Sequence, residues 1–405
     1  MRLGNRSRRD VEPAKPSEPD TAIVLSGGSV NGIFLQLGFL QAVRASGLWP
    51  RVGWVYGTSA GALSGWAAAL DAVDAHERFL MEMQPDDVFE AHDLWRTPFV
   101  GLHRYRLPET VAERLGDPVE LARHLKDGPR ELTVITTDIG LSESSAESDD
   151  PFERAFSSRE EEPETFVAAL FASAAISTFV LPLRIGESVY ADGGWVRNFP
   201  LAYAYREPSV QQIVGCRYRA SASGFAGRGL HSLHSRISRL ARIRVARGVE
   251  VELREAIERQ ERGEPMHLVD TIARLSHIAV YRNSDLEVQL ADERDRSLRA
   301  LHDVRERMRS AILTSTRGGR RTELLAALNE AFDAADFPFE HARVVPRLVV
   351  DVSTPEGVRL DVTRRRVSWS DEEKLALVAH GRRLTEDALE TWPDSSLPAR
   401  EPTAA

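Results

Sequence analysis

A chain of 405 residues that is 42% hydrophobic and 28% charged has the make-up of a globular protein, with one large or two ordinary domains and a sizeable buried core. Its formal net charge of -9 at pH 7 excludes the basic footprint that nucleic-acid binding needs. Cys216 is the only cysteine, which excludes an intrachain disulfide and a cysteine-cluster metal site and fits a reducing, cytoplasmic setting.

Residues 1–20 mix charges and prolines without periodicity and are expected to form a disordered tail rather than a signal peptide. The body begins with Thr21–Ser26 (TAIVLS), read as a buried strand, and a glycine turn at Gly27–Gly28. A helical pattern then runs from Gly32 to about Ser46, with Ile33, Leu37 and Leu40 on one face. Val52–Tyr56 reads as a second strand and Ala60–Leu70 as a second helix. Further strands are expected at Glu131–Thr137, Ser188–Ala191, Gln212–Arg217 and Arg347–Val352. Strands alternating with helices at this spacing imply a mainly parallel sheet covered on both faces. Two uncharged stretches, Val52–Leu70 and Thr165–Leu183, are long enough to span a bilayer. Their glycines, alanines and serines read instead as strand–turn–helix and helix–loop segments of a buried α/β core, and the protein is expected to be soluble.

Two segments stand out by charge. Ser142–Glu164 carries nine acidic residues against two arginines and is expected to be an exposed loop. Arg217–Arg247 carries eight arginines, two histidines and no acid. Within it Ile237, Leu240 and Ala241 share a helical face. Such a basic amphipathic helix docks on anionic lipid headgroups, or it is a surface helix balanced by Glu250, Glu252, Glu255 and Glu258. Residues 290–390 are charged and mostly helical and show no repeat or metal-ligand spacing.

Three glycine-bearing stretches carry the chemistry. Gly57-Thr58-Ser59-Ala60-Gly61 fits the G-x-S-x-G elbow, in which a strand enters a helix through a turn too tight for neighbouring side chains. Ser59 then sits at a helix N-terminus, whose partial positive charge favours a developing anion. The other reading of Ser59 is a small residue in a tight turn. "LSGGSVNG" (residues 25–32) is a candidate source of backbone N–H groups for an oxyanion. It lacks the middle glycine of a dinucleotide fingerprint and has Ile33 where a phosphate loop needs lysine. No histidine stands out as a base. The better candidate is Asp192, which ends a short strand before Gly193–Gly194; the alternative there is an ordinary Asp-Gly turn.

In this order and together, these stretches resemble the patatin-like phospholipase family over roughly residues 21–215. "VITTDIG" at 134–140 and the run from Ala172 to Leu201 extend the likeness. The resemblance implies a three-layer α/β/α fold with a mainly parallel central sheet, and a Ser–Asp dyad that uses no histidine, metal or other cofactor. By position it makes Ser59 the nucleophile and Asp192 the general base. Amides around Gly27, Gly28 and Ser29 would hold the oxyanion, and Gly32, Gly57, Gly61, Gly193 and Gly194 are the motif glycines. The family's third loop glycine is Ser29 here, its cation before the last glycine is Asn31, and a proline after "ASxAI" is Ser177.

The expected organisation is a tail at 1–20, a catalytic domain at 21–290, a mostly helical C-terminal region at 291–390 and a flexible tail at 391–405. The expected activity is hydrolysis of carboxylic esters in phospholipids or other acyl-ester lipids through an acyl-enzyme. The protein would be cytoplasmic, with peripheral membrane contact through Arg217–Arg247. The alternatives are a catalytically silent lipid-binding or scaffolding member of the same fold, and an acyltransferase.

Overall fold

The computed structural model describes residues 19–91, 103–140, 150–176, 180–219, 268–334, 344–358, 360 and 368–392. In chain order, β1 (Thr21–Leu25) leads to α1 (Ser29–Ala45) and β2 (Val52–Thr58) to α2 (Ala60–Ala69), followed by α3 (Val73–Glu82) and α4 (Pro85–Val88). The short strands β3 (Phe89–Ala91) and β4 (His103–Tyr105) pair with each other outside the main sheet. Then come α5 (Leu107–Leu115), α6 (Pro118–Lys126), β5 (Glu131–Asp138), β6 (Glu153–Ser157), α7 (Pro163–Ser173), β7 (Leu183–Ile185), β8 (Ser188–Asp192), α8 (Leu201–Arg206) and β9 (Gln212–Tyr218). The last part holds the long α9 (Leu268–Ser315), α10 (Gly319–Asp333), β10 (Arg347–Val352) and α11 (Asp371–Thr391).

The main sheet has eight strands in the order β10-β9-β1-β2-β5-β8-β7, with β6 also on β5. Neighbours from β10 to β5 are parallel, whereas β6, β7 and β8 pair antiparallel. The fold is thus mixed α/β with a mainly parallel central sheet and a helical C-terminal region. β1 and β9 are buried at every position, as strands covered on both faces must be. Their apolar runs are what made them legible.

One register detail places the site. β2 runs along one edge of β5 as far as the Thr58–Ile135 pair. β8 comes down the same edge in the opposite direction and ends with Asp192 opposite Thr136. β6 occupies the other edge at both levels. The ends of β2 and β8 therefore meet head to head, and the residue after Thr58 faces Asp192.

The C-terminal elements are part of this body. β10 adds to β9 in parallel, and α11 lies on α1 with the backbones in contact. A Cβ at Gly38 would fall 2.1 Å from the Val378 carbonyl oxygen, and one at Gly381 would fall 2.1 Å from that of Leu35. α9 grips the loop after β8: Asn283 Nδ2 donates to the Trp195 carbonyl at 2.8 Å, and Glu287 pairs with Arg197.

Three local expectations change. The helix after the glycine turn begins at Ser29, not Gly32, because the loop itself winds into the first turn, with Gly32 N–H bonded to the Gly28 carbonyl at 2.9 Å. The acidic stretch Ser142–Glu164 is not wholly a loop. Residues 141–149 lie outside the described residues, but Glu153–Ser157 form β6, whose Phe156 is buried, and α7 starts at Pro163. Of Arg217–Arg247, residues 220–247 lie outside the described residues. Arg217 is buried on β9 and binds Asp351 through two hydrogen bonds of 2.6 and 2.8 Å, so it is a structural cation. The two uncharged stretches are β2–α2 and α7 with the chain that follows it. Among the described residues no helix is long and apolar enough to cross a membrane.

Candidate active site

Ser59 stands between β2 and α2 with φ 55° and ψ −120°, a region L-residues rarely occupy. The turn that forces this conformation is closed on both sides: a Cβ at Gly57 would lie 2.4 Å from the Gly61 carbonyl oxygen, and one at Gly61 would lie 2.3 Å from that of Leu25. The strained amide is anchored. Ser59 N–H donates to Ser173 Oγ at 2.9 Å, and the Ser173 hydroxyl donates to the Ile135 carbonyl at 2.6 Å. The end of α7 thereby fastens the elbow to β5.

Across the head-to-head junction, Ser59 Oγ donates to Asp192 Oδ2 at 2.7 Å, and Gly194 N–H donates to Asp192 Oδ1 at 2.8 Å. Thr137 Oγ1 holds the Asp192 carbonyl at 2.7 Å, so the residue is fixed at both its backbone and its side chain. Ser59 and Asp192 are both buried, and among the described residues no cation pairs with the carboxylate. Desolvation is the dominant influence, and it raises the Asp192 pKa from its ordinary value to about 6 against the pull of the two hydrogen bonds. The carboxylate is thus an unusually strong base for an aspartate, yet still ionised at neutral pH. The Tyr105 hydroxyl is buried without a partner among the described residues. Burial, then the nearby Asp192 charge, push its pKa up.

The glycine loop lies beside the serine because β1 and β2 are in register, with Leu25 opposite Gly57. A Cβ at Gly27 would come within 3.3 Å of Ser59 Cβ. Gln36 holds this loop from α1, donating to the Ser26 carbonyl at 2.6 Å and accepting from Ser64 on α2 at 2.9 Å. The three amides implicated by position are not equivalent. Gly27 N–H is already bonded to the Asn198 carbonyl at 2.9 Å. The Gly28 and Ser29 amides have no acceptor among the described residues and stand at the start of α1, as unpaired first-turn donors do. Ser29 has φ 54°, the left-handed region that a glycine would occupy without strain. Asn31, at the position of the family's cation, turns away to the C-terminal region: its Nδ2 donates to the Leu360 carbonyl at 3.2 Å and its Oδ1 accepts from Leu360 N–H at 2.9 Å. Ser177 lies outside the described residues.

A pocket opens on Ser59 and Ser29 and runs between α1, α2, α3 and α5, walled by Ile33, Leu63, Phe79, Leu80, Val111 and similar apolar side chains. Neither this pocket nor Ser173, Asn198 or Tyr105 was singled out in the sequence. Each acts through contacts between distant segments and has no local pattern to mark it. Among the described residues no group of His, Cys, Asp or Glu side chains is placed to hold a metal ion.

Residues 23–205 match the family model for patatin-like phospholipases. No curated protein matches the sequence. Among solved structures, the crystal structure of VipD from Legionella pneumophila is similar at 12% identity and a TM-score of 0.40, over 93% of this chain and 67% of that one. Over residues 23–205, a little under half of its length, the chain is thus similar to the patatin-like phospholipases.

Proposed function

We propose that this protein is a serine carboxylic ester hydrolase acting on acyl-ester lipids, with Ser59 as nucleophile and Asp192 as general base. The observation that carries the reading is the 2.7 Å hydrogen bond from Ser59 Oγ to the buried Asp192 carboxylate, which pairs with no cation among the described residues, beside an apolar pocket lined by Ser59. Asp192 takes the Ser59 proton as Oγ attacks the ester carbonyl. The tetrahedral intermediate collapses as Asp192 gives that proton to the leaving alcohol; water then cleaves the acyl-enzyme with Asp192 again as base, and the proton it takes returns to Ser59 Oγ as the acid leaves. General-base assistance of this kind contributes about 10²–10⁴-fold. The Gly28 and Ser29 amides are the donors placed for the oxyanion, and losing one such donor costs about 2.7–4 kcal/mol. The acyl chain lies in the apolar pocket and the alcohol leaves toward solvent.

A fluorophosphonate ester tests this directly. The intact protein should gain the mass of one adduct, located on Ser59, absent in Ser59→Ala and formed at least about a hundredfold more slowly in Asp192→Asn. A folded protein that forms no adduct, beside a control enzyme that does, sinks the hydrolase reading. A second reading, a catalytically silent lipid-binding member of the fold, draws on two observations: Ser29 strained at φ 54°, and the Gly27 amide spent on Asn198. It predicts lipid binding without an adduct.

A further inference from the structure

One hydroxyl outside the Ser59–Asp192 pair touches the frame that holds both. Ser173 is the last residue of α7 and is fully buried. A helical serine commonly bonds back to a carbonyl of its own preceding turn. The Ser173 hydroxyl instead leaves its helix and bridges two other elements, accepting from Ser59 N–H at 2.9 Å and donating to the Ile135 carbonyl at 2.6 Å. The chemistry fixes both directions. A backbone N–H only donates and a carbonyl only accepts, so the single hydroxyl proton is committed to Ile135 and a lone pair to Ser59.

The Ile135 carbonyl is also the group on which the Asp192 turn rests. β5 pairs Thr136 with Asp192, and a Cβ on Gly193, the next residue, would fall 2.1 Å from the Ile135 carbonyl oxygen. Thr137 Oγ1 donates to the Asp192 carbonyl at 2.7 Å. Three consecutive residues of β5 thus hold Asp192 directly and Ser59 through Ser173. Ser59 depends on that hold, because φ 55° and ψ −120° is a conformation its own backbone does not favour. A relaxed elbow would carry Oγ away from the carboxylate. We infer that Ser173 is a positioning residue for Ser59: its hydroxyl fixes the Ser59 amide to the strand that holds Asp192, and so keeps Ser59 Oγ within hydrogen-bond reach of Asp192 Oδ2. The inference rests on the reading of Ser59 and Asp192 as nucleophile and base.

Asp192 itself reports the alignment. The hydrogen bond from Ser59 favours the charged carboxylate, so its loss raises the Asp192 pKa further above about 6. Tyr105, whose pKa the Asp192 charge helps to raise, stays neutral through that range. The full-length chain, carbon-13-labelled in aspartate, is titrated by NMR, and the Asp192 signal is identified by its absence in Asp192→Asn. Ser59→Ala gives the shift for complete loss of the hydrogen bond. Ser173→Ala should move the titration in the same direction, and should add nothing when combined with Ser59→Ala. Ser173→Cys, close in size and a weak donor and acceptor, should fall between Ser173→Ala and the wild type. Thermal unfolding of each variant establishes that a folded chain is being titrated. With the fluorophosphonate, Ser173→Ala should label about a hundredfold more slowly than the wild type, the loss that a misplacement of about 1 Å produces. In the Asp192→Asn background the same substitution should cost less than about twofold, since residues that act as a unit are not additive. An unmoved titration in folded Ser173→Ala, or a shift that is equally large when Ser59→Ala is already present, would overturn the inference. The titration needs no turnover and so separates from the hydrolase reading. A wild-type chain that forms no adduct loses that reading, and the titration still decides the place of Ser173. An adduct beside an unmoved titration does the reverse.

Discussion

At Asp192 the proposed role of base and the cost of burying a charge meet in one side chain. An aspartate starts from a pKa of 3.8, and burial brings this one to about 6. Between those values the folded state holds a proton that the unfolded chain has released. The contribution of this residue to stability is therefore greatest below about pH 4 and falls as pH rises through 6, by ~3 kcal/mol at most. Two outcomes follow for the wild type and for Asp192→Asn. The kcat/KM for an ester substrate should rise with pH, with its half-point near 6, as the base ionises. Asp192→Asn should lose about 10²–10⁴ in kcat and yet be more stable than the wild type at pH 8. It keeps the Gly194 contact through its carbonyl oxygen and no longer buries a charge. Denaturant titrations at pH 5 and pH 8 would read this, and a variant less stable at both would contradict the assignment. Ser29 is the second residue where local conformation and function pull apart. A left-handed L-residue costs roughly 1–2 kcal/mol, so Ser29→Gly should raise the denaturation midpoint at unchanged slope. A lowered midpoint would mean that the Ser29 side chain contributes a contact that offsets the strain.

At the scale of elements, the crossing of α1 and α11 depends on the absence of two side chains. With its Cβ 2.1 Å from the Leu35 carbonyl oxygen, Gly381→Ala cannot be accommodated without moving one helix off the other. Overpacking of this kind costs about 1–3 kcal/mol or more. Gly381→Ala should therefore lower the thermal midpoint, with the loss matched in an ester-hydrolysis assay only at temperatures near that midpoint. The same crossing shows what the sequence could and could not reveal. β1, β2, β5 and β9 were legible as short, largely apolar runs buried on both faces and bounded by turns, and β10, a half-buried edge strand, through the run Leu348–Val350. β3, β4 and β7 have three residues each, too few for any period to appear. β6 was hidden because its flanks are acidic and only Phe156 and Ser157 are buried within it. Ser59 and Asp192 were visible as glycine-bounded turns, but their separation of 2.7 Å is a product of register, since β2 and β8 share one edge of β5. Asn31 was visible only as a missing cation. Its partner Leu360 is 329 residues away, and nothing local to either residue announces the contact.

At the scale of the whole molecule, the family match ends at residue 205, but the sheet that supports the site does not. β9 lies beside β1, the strand that delivers the glycine loop, and Tyr218 N–H donates to Ser26 Oγ at the root of that loop at 2.8 Å. β10 covers the outer edge of β9, α11 covers α1, and the backbone of Leu360 holds Asn31 in the first turn of α1. A chain cut after residue 334 would lose all three supports at once. β9, buried at every position in the full chain, would become an open edge, a template for pairing with other chains. The buried face of α1 with its backbone contact at Gly38 would meet water. The truncated chain is therefore expected to aggregate, or to melt without a cooperative transition, and to form no Ser59 adduct under conditions where the full chain does. Intact mass after fluorophosphonate treatment, with light scattering on the same sample, reads both outcomes. A truncated chain that stays monomeric and labels at the full rate would show that residues 344–392 are dispensable to the site, and that the support of the glycine loop comes from β9 and α9 alone.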